Sequence, residues 1–63
     1  MEIDFNDSKI DFPEENISVE NLLTSLEINP AEVVVTQNGK IALESSILKK
    51  GDMVKIIQVI YGG

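Results

Sequence analysis

The chain has 63 residues, a net charge of −6, and neither cysteine nor histidine. These values exclude a disulfide framework and a Cys/His zinc site, and the acidic balance argues against nucleic-acid binding, which needs a positive footprint. Apolar residues make up 43% and charged residues 25%, which is a globular composition and not a disordered one.

A chain this short reads as one domain, residues 1–63, with a small core. It buries only about 60% of its unfolded surface and has no room for a deep substrate cavity. No apolar run approaches the length of a membrane span. Met1-Glu2-Ile3-Asp4 does not look like a signal peptide, so a cytoplasmic location and no membrane contact are expected. Residues 1–32 hold nine of the eleven acids and only Lys9. The simplest reading of that asymmetry is a solvated acidic surface; docking on a basic partner is the alternative.

In chain order, Ile3 and Phe5 alternate with polar residues, the period-2 signal of a strand. Asn6-Asp7-Ser8 is turn chemistry, and Ile10 and Phe12 alternate on a return strand that Pro13 ends. Ser18 reads as a helix N-cap, with Ile17 and Leu22 placed to form a hydrophobic staple. Val19, Leu22, Leu23 and Leu26 form one apolar stripe, and Asn29-Pro30 is expected to stop the helix.

Val33 to Thr36 is a β-branched run, hence a strand. Asn38-Gly39 is the strongest hairpin signal, because a type I′ turn needs positive φ at both central residues. Ile41 and Leu43 continue the return strand. Glu44 to Leu48 reads as a loop with a short turn of helix, and Lys50-Gly51-Asp52 as a tight turn. Met53 to Ile60 is the longest strand candidate, and Tyr61-Gly62-Gly63 follows it as a tail that nothing local would order. The expected order is ββαβββ: an α+β fold in which a mixed sheet packs on one helix.

Chemistry on side chains is hard to place. Glu14-Glu15 lies on a polar loop, without the shelter that tunes catalytic carboxylates. Ser45-Ser46 has no histidine to act as base. The chain does not read as an enzyme, and no metal ligands stand out. Phe5 and Phe12 fall on the apolar phase of their strands and are expected in the core. Tyr61 reads either as a packing residue at the end of the strand or as a contact for whatever grips the tail. Gly62-Gly63 reads either as a frayed end or as a tail narrow enough to enter a confined active site. Its free carboxylate is a poor electrophile, but adenylation would make it reactive, and a sulfur donor could then convert it to a thiocarboxylate.

The set of motifs resembles the ubiquitin-like β-grasp sulfur carriers. These are the opening strand with its Asn-containing turn at Met1 to Asp7, the V-x-x-L-L helix at Val19 to Leu23, and the V-V-V…N-G segment at Val33 to Gly39. Gly51-Asp52 before the last strand and the ending Gln58 to Gly63 complete it. Within the ThiS/MoaD superfamily it is most similar to the ThiS-type thiazole sulfur carriers of thiamine biosynthesis. Tyr61 stands where many members have a small residue.

The resemblance implies a carrier that is a monomer, holds no cofactor, and is acted on by partners. An E1-like adenylating enzyme uses ATP to charge Gly63, a sulfurtransferase or cysteine desulfurase supplies sulfur, and a thiazole synthase receives it. Gly63 would bear the thiocarboxylate, Gly62 and Tyr61 would thread into the partner, and Ile57, Val59 and Ile60 would be docking candidates. If Val54 and Ile56 point inward, Ile57 points outward by alternation. A carrier for molybdopterin or tRNA thiolation, or a protein modifier conjugated through Gly63, would share this pattern.

Overall fold

A computed structural model describes residues 1–59. The elements run β1 (Glu2–Phe5), β2 (Ser8–Asp11), β3 (Asn16–Ser18), α1 (Val19–Ser25), a 3-10 turn (Pro30–Glu32), β4 (Val33–Gln37), β5 (Lys40–Ile41), β6 (Ile47–Lys49) and β7 (Val54–Gln58). Five strands form one mixed sheet in the order β2-β1-β7-β4-β5, and β3 and β6 form a separate antiparallel pair. At the centre, β1 runs parallel to β7, and β7 runs antiparallel to β4. The α+β class and the β-grasp arrangement hold; the order ββαβββ is corrected by the additional pair.

The two hairpins form as their turn residues dictate. Asn38 and Gly39 have φ of 53° and 84°, so both central positions are left-handed, as a type I′ turn requires. This fixes the register, with Gln37 opposite Lys40 and Thr36 opposite Ile41. Asn6 and Asp7 repeat the device at φ 48° and 68°, placing Phe5 opposite Ser8. The first hairpin extends to Met1, whose backbone carbonyl accepts from Phe12 N–H at 2.8 Å.

Ser18 caps α1, its hydroxyl accepting from Asn21 N–H at 3.1 Å. Two further first-turn donors find loop carbonyls: Val19 N–H bonds Ser46 O and Glu20 N–H bonds Glu44 O, each at 3.0 Å. The expected loop is there as a single turn, closed by Ser46 N–H on Leu43 O at 3.0 Å, with the carbonyls of Glu44 and Ser46 turned to the start of α1; the chain then goes on as a strand at Ile47–Lys49. That strand pairs Leu48 with Ile17. Each strand of this pair has three residues, too short for a period-2 signal to register.

The helix also ends earlier than Asn29-Pro30. Ile28 N–H bonds Leu23 O at 2.9 Å and Glu27 N–H bonds Thr24 O at 3.1 Å, the two bonds of a Schellman motif. Glu27 occupies its left-handed position at φ 59°. Asn29 instead caps the 3-10 turn, its side chain accepting from Ala31 N–H at 3.0 Å.

The core lies between α1 and the inner face of the sheet. It contains Ile3, Phe12, Ile17, Val19, Leu22, Leu23, Val35, Leu48, Val54 and Ile56. The helix contributes Val19, Leu22 and Leu23, while Leu26 is half-buried at the C-cap. Phe12 is in the core as expected. Phe5 is half-buried against it, because β1 reaches the rim of the sheet where the chain turns back. Among the described residues no helix is long and apolar enough to cross a membrane.

Candidate docking face and tail exit

The strand β7 carries the candidate site, and alternation sorts its side chains. Val54 and Ile56 point into the core and are 2% and 0% exposed. Lys55 and Ile57 point to the opposite, outer face, where Ile57 is 47% exposed. The inward–outward assignment expected for Val54, Ile56 and Ile57 is thus the one the strand adopts.

Register extends that outer face across the sheet. Val34 lies opposite Ile57, Thr36 opposite Lys55, and Asp4 beside Lys55. Ile41 lies opposite Thr36 and is 74% exposed; Met53, two residues before Lys55, is 63% exposed. Thr36, Gly39, Met53, Lys55 and Ile57 line one shallow depression on this face. The outer face therefore presents two apolar groups, Val34 with Ile57 and Ile41 with Met53, separated by Lys55 and Thr36, with Asp4 beside Lys55. Sequence reasoning selected Ile57 and passed over Ile41 and Met53. The signal was present: a two-residue turn at Asn38-Gly39 sets Ile41 against Thr36, which alternates with the buried Val35.

The end of β7 is held from both sides. Toward β1, Asn6 Oδ1 accepts from Gln58 N–H at 3.0 Å, and Asn6 Nδ2 donates to Gln58 Oε1 at 3.3 Å. Asn6 N–H also donates to Ile56 O at 3.1 Å. Toward β4, Val59 N–H donates to Glu32 O at 2.8 Å, one step beyond the pairing of Val33 with Gln58. Val59 is half-buried. Ile60, Tyr61, Gly62 and Gly63, to which docking, threading and attachment roles were assigned, lie outside the described residues.

At the opposite end of β7, Asp52 forms a polar knot. Its carboxylate accepts from Gln37 Nε2 at 2.7 Å, Asn38 Nδ2 at 3.1 Å and Lys49 N–H at 2.9 Å. The Gln37 hydrogen bond, followed by those from Lys49 N–H and Asn38, lowers the Asp52 pKa from the ordinary aspartate value. Asn38 Oδ1 accepts from Met53 N–H at 2.9 Å, and Gly51 supplies φ +91° in the turn between. A carboxylate so engaged is held ionised and structural. The ion pairs among the described residues are peripheral: Lys9–Glu2 at 3.8 Å and Lys50–Glu15 at 3.7 Å are exposed and of small energetic value, and the Met1 ammonium lies 3.8 Å from the exposed Asp11. Among the described residues no group of three His, Cys, Asp or Glu side chains is placed to hold a metal ion.

Comparison with known proteins places this arrangement. The family model described as the ThiS family matches residues 1–63. The crystal structure of the thiamine biosynthesis protein ThiS from Geobacter metallireducens is similar at 25% identity and a TM-score of 0.69, covering 100% of both chains. A solution structure of a thiamine biosynthesis protein from the same organism is 30% identical with a TM-score of 0.63, covering 100% of this chain and 88% of that one. With a match from its first residue to its last, the chain belongs to the ThiS family, whose members are small sulfur-carrier proteins rather than catalysts.

Proposed function

We propose that this protein carries sulfur for the thiazole of thiamine as a thiocarboxylate on Gly63. The observation that carries the reading is the family match over residues 1–63, which includes the closing Gly62-Gly63. The thiamine biosynthesis proteins among its structural neighbours favour thiazole over molybdopterin, tRNA or protein lysine as the destination.

The chemistry needs no side chain of the carrier. The Gly63 carboxylate attacks the α-phosphate of ATP on an E1-like enzyme, giving an acyl adenylate and releasing pyrophosphate. A persulfide on a sulfurtransferase or cysteine desulfurase attacks the acyl carbon, and AMP leaves. A thiol then cleaves the S–S bond, and the thiocarboxylate remains. A thiazole synthase takes the sulfur. In this scheme the outer face docks on the adenylating enzyme: Ile57 is exposed beside Val34 near the end of β7, next to the segment that leads into the tail. Val59 and Ile60 continue from it in the chain, and Gly62 and Tyr61 thread toward the ATP site.

Coexpression with the adenylating enzyme and a sulfur source tests the proposal. Intact-protein mass spectrometry should show one oxygen replaced by sulfur, and fragmentation should place the change on Gly63. Recovery of unmodified protein alone from partners shown to be competent with another carrier would overturn it.

A further inference from the structure

The pairing of β1 with β7 stops at Phe5 opposite Ile56, because the chain turns back at Asn6-Asp7. Gln58 N–H, on the β1 side of the strand, thereby loses the backbone carbonyl that a longer β1 would offer. Asn6 Oδ1 stands in for that carbonyl, and Asn6 Nδ2 adds a bond to the Gln58 side chain. The main-chain requirement at this position is only a positive φ, which glycine, asparagine and aspartate all meet. The turn alone does not explain a side chain aimed at a residue 52 positions away. On the other side, Glu32 O holds Val59 N–H. Two independent loops thus grip the two residues from which the last four lead.

We propose that Asn6 is a positioning residue that presents the end of β7, and the segment leading from it, to the adenylating enzyme. Its clasp on Gln58, opposite the Glu32 carbonyl on Val59, fixes the end of β7 in place and direction before the partner arrives. Without the clasp, the adenylating enzyme has to fix Gln58 and Val59 itself, at a cost to binding. The inference rests on the carrier function proposed above.

Asn6→Gly separates the two roles, since it keeps the φ of the turn and removes the clasp. ATP–pyrophosphate exchange by the E1-like adenylating enzyme, measured against carrier concentration, should show KM raised about fivefold with kcat unchanged, the pattern of lost uniform binding. Asn6→Asp keeps the oxygen that accepts from Gln58 N–H and should restore most of the loss. Gln58→Ala leaves the hairpin untouched, removes only the 3.3 Å bond, and should raise KM by a smaller factor; it keeps the test valid if Asn6→Gly does not fold. Amide hydrogen exchange reports the clasp directly, through faster exchange at Gln58 in Asn6→Gly. Wild-type KM in that variant, with the Gln58 amide demonstrably released, overturns the positioning role alone. No exchange with the wild-type carrier, on an enzyme active with another carrier, overturns the carrier function and the positioning role together.

Discussion

The two ends of β7 are built differently. At its start, Asp52 gathers three donors on one charged carboxylate, all from residues within 15 positions of it in sequence. At its end, Asn6 and Glu32 hold Gln58 and Val59 through neutral groups from two distant loops. Hydrogen bonds to a charged group contribute more than neutral ones, whose net value is about 1 kcal/mol. The first end is a local lock that keeps the Asn38-Gly39 hairpin and the Gly51 turn together. The second is a long-range grip that sets where the chain leaves the sheet. The difference teaches that stability and presentation are assigned to opposite ends of one strand.

The strongest way to break the comparison is to remove what joins the ends. Ile56 is fully buried midway along β7, and Ile56→Ala should destabilise the fold by about 3 kcal/mol. A chain of this size has only about 3–9 kcal/mol in total, so the loss is severe. If the ends are coupled through the core, amide exchange should accelerate at Met53 and Gln58 together in denaturant-free buffer. Acceleration at one end only would show that β7 is not a single rigid element.

The next variant acts on the far half alone. Ile57→Thr keeps a β-branched residue on the strand and removes apolar surface from the outer face. The KM for carrier in the exchange assay should rise about tenfold, while the unfolding midpoint in urea moves little. An unchanged KM would remove Ile57 from the docking face.

Much of this architecture was legible in the residues. Asn38-Gly39 specified its own turn and, through it, the register that faces Ile41 outward. Alternation along Val54, Ile56 and Ile57 assigned inside and outside, and Ser18 announced the helix start. What escaped was non-local. Ile17 and Leu48 pair across the chain from strands of three residues, with no periodicity to betray them. The Asn6–Gln58 clasp spans 52 positions, and Asn6 alone read only as turn chemistry. The helix end escaped for a different reason: Glu27 is a poor residue for the left-handed site it occupies, so Asn29-Pro30 gave the stronger stop signal although the Schellman motif lies before it.

Glu27→Gly sharpens the comparison as a control remote from both ends. It relieves the left-handed strain at φ 59° and should stabilise the fold by about 1 kcal/mol, read as a higher urea midpoint. KM in the exchange assay should stay at the wild-type value. A change in KM without a change in midpoint would mean that α1 contributes to docking and that presentation is not confined to the end of β7.

At the start of β7 the signature is pH dependence. The Asp52 pKa is lowered in the folded state, chiefly by Gln37, below the ordinary value of 3.8. A depressed carboxylate contributes stability that is fully present above the unfolded pKa and is lost as pH falls through the folded one. Asp52→Asn removes this titration but not the shape of the side chain. The excess stability of the wild type over Asp52→Asn should therefore be constant at neutral pH and shrink below 3.8, vanishing once Asp52 is protonated in both states. Urea midpoints measured for both proteins across that range decide the matter. A difference that persists unchanged into acid would assign the knot's contribution to packing and neutral hydrogen bonds, and the charged lock that distinguishes this end of the strand from the other would be gone.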